Sequence, residues 1–369
     1  MKINIIDPGM INWAGHHADI NLRVAQNLQN RGNLVKIFAD KHFLYNDTKI
    51  RIEPFFNNGP YKIKKKIQQV GAIDDQIEAF LIEANIFSES LKIIDSADIT
   101  FFPTLFHYQL LSIGFRHQHL GKIFGCIHSG PSKSNMVDFE LWRIALNSVR
   151  SNADLRLGVL ETELGDAFDE LFSSSSIKFE RFAIPHDGAH DETFENGLMT
   201  IGILGHQRPD KKIELIPSLV SNITKLGFKI IIQDSLPNSS IKFGKENPNI
   251  EFFGHVESMG KLIKRCSIVL LNYDYDVYQT QGSGIAWEAL ASGVPILAPK
   301  GTSVGKLLRK FSCGEVFDSS NSESVYTMLI LMQNNYKQYL IDAQKAKEKY
   351  HLKHGTRRFV DYILSNSNT

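Results

Sequence analysis

The stretch Tyr278–Thr302, YQTQGSGIAWEALASGVPILAPKGT, says more about the fold than any other part of the chain. It reads as a Gly-rich turn, a helix over Gly284 to Ala291 and a strand over Pro295 to Ala298. A second polar turn, Pro299-Lys300-Gly301-Thr302-Ser303, precedes another helix. Helices alternating with short apolar strands build a parallel sheet. Gly282-Ser283-Gly284 stands directly before the first of these helices. There the backbone N–H groups lack intrahelical partners and the helix dipole is positive, which favours a phosphate. Glycine lets an anion approach closely, and the Ser283 hydroxyl can add a bond. Glu288 lies one turn inward, where a carboxylate can accept from sugar hydroxyls. Gly-Ser-Gly alone is an ordinary turn with a surface glutamate behind it; the length of the pattern carries the reading.

The same alternation runs outward in both directions. Ile3 to Ile6 is a strand, and Ala18 to Asn30 a helix with Ile20, Val24 and Leu28 at helical spacing. Arg31-Gly32 ends that helix with a cation and a glycine. Leu34 to Ala39 is the next strand, so the chain opens on a βαβ unit. Asp75 to Leu91 reads as a helix, Ile99 to Phe102, Lys122 to Ile127 and Leu155 to Leu160 as strands, and Phe182 to Ile184 as a last strand. Pro185 to Gly197 is rich in turn formers and reads as a linker. A second alternation starts at Met199. The expected fold is α/β, with two doubly wound Rossmann-like domains facing across a cleft. Their bounds are 1–186, a linker over 187–198, and 199–350, with a C-terminal helix over 351–369 crossing back.

With 369 residues, 43% of them hydrophobic, the chain has ample material for two cores. A net charge of +1 gives no case for nucleic acid. The cysteines, Cys126, Cys266 and Cys313, are odd in number and far apart, which fits a reducing cytoplasm. No signal peptide and no apolar span of membrane length is visible. Lys62, Lys64, Lys65 and Lys66 beside Ile63 and Ile67 leave peripheral contact with an anionic membrane face open, against a solvated loop. The histidines show no H-x3-H or HExxH spacing, so no metal site is assigned. GxGxxG after the first strand, GxxxxGK[ST] and GxSxG are all missing, which counts against dinucleotide oxidoreductases, P-loop NTPases and hydrolases.

The Tyr278–Thr302 stretch resembles the nucleotide-sugar site of family 4 glycosyltransferases and related GT-B enzymes. Their motif is Glu-x7-Glu, followed by a small-residue helix and Gly-x-Pro. Glu288-Ala289 fits the second glutamate and Gly293-Val294-Pro295 the Gly-x-Pro, while Thr280 stands at the first glutamate. Ile201 to Lys212, IGILGHQRPDKK, is similar to the family's strand, Gly-Arg and Lys-Gly. Gly205 and Lys211 fit, His206 takes the arginine's place, and Arg208 follows two residues on. The resemblance implies that Arg208 and Lys211 neutralise a departing diphosphate, and that Gly205, Thr280, Gly282, Ser283, Gly284 and Glu288 line the donor. In the first half, Gly15 fits the family's glycine loop after strand one, and His128 its strand-end histidine near the reacting sugar.

The implied activity is transfer of a sugar from a nucleoside-diphosphate sugar to a hydroxyl acceptor, retaining and without a metal or cofactor. The acceptor would be a carbohydrate or a lipid-linked one, in cell-surface polysaccharide or glycoconjugate synthesis. Two rivals stay open: a GT-B-shaped sugar-nucleotide epimerase, and a non-catalytic relative, kept alive by Thr280.

Overall fold

The computed structural model describes every residue except 14–16, 46–48, 116, 131–135, 153, 174–176, 178, 190–197, 234–245, 257 and 366–369, and the side chain of Ser322. The chain divides into two compact units, Met1–Phe182 with Phe359–Thr369, and Ala183–Arg358.

The first unit is built on seven strands: β1 (Lys2–Asp7), β2 (Leu34–Asp40), β3 (Arg51–Phe56), β4 (Ile99–Phe102), β5 (Lys122–Ile127), β6 (Leu155–Val159) and β7 (Glu180–Arg181). All pairs are parallel, in the order β3-β2-β1-β4-β5-β6-β7. Its helices are α1 (His17–Asn30), α2 (Pro60–Gln69), α3 (Ile73–Lys92), α4 (His107–Gly114), α5 (Met136–Val149) and α6 (Thr162–Leu171). β1 is buried from Ile3 to Asp7, as expected of a parallel strand covered on both faces. Pro54 is tolerated in β3 because β3 is the edge strand, where a missing N–H breaks no ladder. Ile20, Val24 and Leu28 point α1 into the core.

The second unit has six parallel strands: β8 (Thr200–Ile203), β9 (Lys229–Gln233), β10 (Ile250–Phe253), β11 (Ile268–Leu270), β12 (Ile296–Pro299) and β13 (Gly314–Phe317). Their order is β10-β9-β8-β11-β12-β13. Its helices are α7 (Ile216–Lys225), α8 (Met259–Lys264), α9 (Tyr275–Tyr278), α10 (Gly284–Ser292), α11 (Ser303–Phe311), α12 (Ser322–Asn334) and α13 (Tyr336–Lys353). Both sheets run outward from their first strand and reverse at the fourth, so each domain is doubly wound. Helix α14 (Thr356–Leu364) closes the chain. In the first unit its Phe359 ring lies 5.4 Å from that of Phe101, and Asp361 pairs with Arg31 at 2.7 Å.

Several sequence expectations shift. The last strand of the first half is Glu180–Arg181, not 182–184. Helical structure after Lys212 begins as a short 3-10 turn, and α7 proper starts at Ile216, with Pro217 in its first turn, where the missing N–H has no partner to lose. The lysine run is not a loop. It is α2, with Ile63 and Ile67 buried and Lys66 paired to Glu83 at 2.5 Å. Among the described residues no helix is long and apolar enough to cross a membrane.

Candidate functional site

Ligands of open parallel sheets bind at the carboxyl ends of the strands where the order reverses. In the second unit that point lies between β8 and β11. Just past β8 stands Gly205, with φ +84°, a left-handed conformation that favours glycine. Gly205 N donates to Gln233 Oε1 at 2.8 Å. Gln207 Nε2 donates to the Gly205 and Gln233 carbonyls at 3.0 and 2.9 Å. Two buried glutamines thus fix the turn. A Cβ on Gly205 would lie 2.9 Å from Lys211 Nζ and 3.2 Å from Ile285 Cγ1. The absent side chain therefore leaves room for the ammonium of the buried Lys211 beside the first turn of α10.

Helix α10 starts at the predicted turn. Ser283 is its N-cap, and Oγ accepts from Ala286 N at 3.2 Å. The same Oγ lies 2.6 Å from Tyr273 Oη. The Ser283 hydroxyl is therefore engaged in holding the helix end. The first-turn amides of Gly284 and Ile285 have no carbonyl within the helix to bond. Gly284 is exposed, and a Cβ there would touch only the His186 ring, at 3.5 and 3.6 Å. Tyr273 is fully buried, which pushes its phenol up to about 12 and keeps it a neutral hydrogen-bonding group. Its ring stacks on Tyr278 with centroids 4.0 Å apart, and Lys211 Nζ lies 5.6 Å from the Tyr273 centroid.

Glu288 does not stand alone on the surface. Its Oε2 is 2.8 Å from His186 Nδ1, and the two side chains are 13% and 10% exposed. Gly260, on α8, faces Oε1, which would be 3.0 Å from a Cβ at that position. Arg208 is exposed and pairs with Asp210 at 2.8 Å, and Tyr278 donates to the same carboxylate oxygen at 3.0 Å. Thr280 is exposed and Gly282 half-buried on the turn that leads into α10. The structure thus gathers Gly205, Lys211, Ser283, Gly284 and Glu288 around one helix end. It adds His186, Gln207, Gln233 and Tyr273, none of which the sequence singled out.

No family model matches this sequence, and no curated protein matches it. Solved structures do. Sucrose-phosphate synthase from Thermosynechococcus elongatus superposes with a TM-score of 0.66 at 12% identity, over 98% of this chain and 97% of that one. WaaG, a glycosyltransferase involved in lipopolysaccharide biosynthesis, gives 0.64 at 12% identity over 99% of this chain and all (100%) of the other. Anabaena HepE in complex with UDP-glucose gives 0.62 at 15% identity over 98% of both. The fold is GT-B.

The N-terminal GT-B domain holds the two other sequence candidates. Gly15 lies outside the described residues. His128 follows β5 and its Nε2 is 2.7 Å from the Pro103 carbonyl, which can only accept, so Nε2 carries a proton. At the end of β1 the sequence hid a buried cluster. Asp7 Oδ2 is 2.8 Å from His17 Nδ1 and accepts from Asn21 Nδ2 at 2.6 Å, while Oδ1 accepts from Gly9 N at 2.9 Å. Burial opposes the Asp7 charge, but the attraction of His17 and these bonds hold the carboxyl below its ordinary range. Burial likewise opposes charge on His17, and Asp7 outweighs it and raises the imidazole.

Proposed function

We propose that this chain is a glycosyltransferase that takes a sugar from a nucleoside-diphosphate sugar held by its C-terminal domain. One observation carries the reading: a buried ammonium, Lys211, lies beside the first turn of α10 at the reversal point of a doubly wound sheet. Fixed positive charge at a helix N-terminus suits a diphosphate, and most of all one whose negative charge grows as it leaves. That arrangement supplies the charge a divalent ion would otherwise bring, so transfer is proposed to need no metal. HepE, a structural neighbour, is seen with UDP-glucose.

In this reading Gly284, the Ile285 amide and Lys211 take the diphosphate, and Glu288 takes the ribose hydroxyls. Arg208 reaches the phosphates only by exchanging its Asp210 partner. Thr280 and Gly282 line the sugar end. Gly15 and His128 serve the reacting sugar and acceptor, a carbohydrate or lipid-linked hydroxyl, and the anomeric configuration is retained. The lysines of α2 would supply any peripheral contact with an anionic membrane.

A thermal-shift screen of UDP, GDP, ADP and CDP and their sugars tests the donor. A ligand at 100 times its Kd adds about 2.7 kcal/mol of stability. No shift with any of them would overturn the reading. Conversion of a donor sugar with no acceptor present would point instead to an epimerase.

A further inference from the structure

His186 lies over the first turn of α10, and only 8% of it is exposed. Its Nδ1 is 2.8 Å from Glu288 Oε2. A carboxylate oxygen only accepts, so Nδ1 carries the proton. Nε2 has no hydrogen-bond partner among the described residues, and lies 3.6 Å from where a Gly284 Cβ would be. The ring's backbone is equally fixed. Tyr350 Oη donates to the His186 carbonyl at 2.8 Å, and Asp187 Oδ1 accepts from Thr356 N at 2.7 Å. Gly188, at φ +67°, packs directly on the Ala291 backbone, where a Cβ would come within 2.4 Å.

We propose that His186 is a donor-binding residue, oriented by Glu288 so that Nε2 meets the diphosphate at the N-terminal end of α10. The proposal rests on the donor reading above and adds a binding group to it. It has a chemical consequence. The Glu288 carboxylate and an ionised phosphate both only accept hydrogen bonds, so a ring that bridges them must donate from both nitrogens. In the diphosphate complex the ring therefore bridges the two anions, Glu288 at Nδ1 and the phosphate at Nε2. Among the described residues, charged groups near this helix end are Glu288 on α10, Asp187 beside His186 and bonded to Thr356, Lys347 on α13, which donates to the Ala189 carbonyl at 3.3 Å, and Lys211.

Calorimetry at pH 7.5 tests this with UDP, GDP, ADP and CDP and the corresponding nucleosides. Wild type should bind one of the diphosphates more tightly than its nucleoside. His186→Asn keeps an amide within reach of Glu288 but not of the phosphate. It should lose about tenfold in diphosphate affinity, while nucleoside affinity stays within about twofold. Equal losses for nucleoside and diphosphate would make His186 only a support for Glu288 and overturn the proposal. So would a wild type that binds no diphosphate more tightly than its nucleoside, a result that needs no variant to fold. Wild type that binds none of the four diphosphates would instead bring down the donor reading, and this inference with it.

Discussion

Replacing Gly205 by alanine separates the cost of the backbone from the placement of Lys211. Gly205 sits at φ +84°, and an L-residue in the left-handed region costs about 1–2 kcal/mol. Gly227, in the same domain, has φ +85° and nothing within 4 Å of a Cβ. Gly227→Ala therefore pays the same backbone cost without touching the candidate site. For a domain of this size that is about 2–8 °C in Tm, and both variants should show it. Only at Gly205 does the new methyl meet Lys211 Nζ, 2.9 Å away. The lysine end is flexible and yields at little cost to folding, but the ammonium moves. A shift of ~1 Å restores ordinary contact, and at an effective dielectric of ~20 moving a unit charge from ~4 to ~5 Å from a phosphate loses about 0.8 kcal/mol, or about fourfold in affinity. Calorimetry with the best nucleoside diphosphate should therefore show Gly205→Ala about fourfold weaker than Gly227→Ala at matched loss of stability. Equal affinities in the two variants would refute the assignment of Lys211 to the phosphates.

Asp7→Ala should destabilise the N-terminal domain by about 3–5 kcal/mol in urea, because it strands a buried His17; a loss below about 1 kcal/mol would show that the pair carries little. The pair also predicts a pH dependence. His17 is raised above 6.5, so its contribution is complete below that pH and is lost as pH rises through the folded value. Asp7 is lowered below 3.8, so its contribution is complete above that pH and is lost as pH falls through the folded value. Asp7→Asn should remove the alkaline loss. His354 in the second domain behaves oppositely to His17. Burial, with Lys310, Lys353 and His351, lowers it from 6.5 to about 4, and its Nδ1 accepts from Ile184 N at 3.1 Å. Its contribution is complete above 6.5 and is lost as pH falls towards 4, so His354→Gln should flatten the stability profile between those values; an unchanged acid limb would contradict it.

The alternation of apolar runs with 3.6-period segments was enough to determine two α/β halves, because strand burial and helix faces are written into local spacing. So was the helix end at Gly284, where Gly-Ser-Gly, an apolar run and Gly293 mark start and stop. Gly293 takes φ +71° and its N–H bonds the Ala289 and Leu290 carbonyls. Helix α2 was harder to read, since four lysines outweighed the single i, i+4 pair of isoleucines that the core buries. What the tertiary structure alone decided is who meets whom. Glu288 and its partner His186 are 102 positions apart, and no local rule connects them. Tyr273 is joined to the Ser283 cap only because β11 ends beside the start of α10. Lys211 reaches the helix end because Gly205 has no Cβ and lies next to Ile285. A periodic pattern fixes which face of an element is buried; the reversal of strand order at β8 and β11 decides which buried groups share a site.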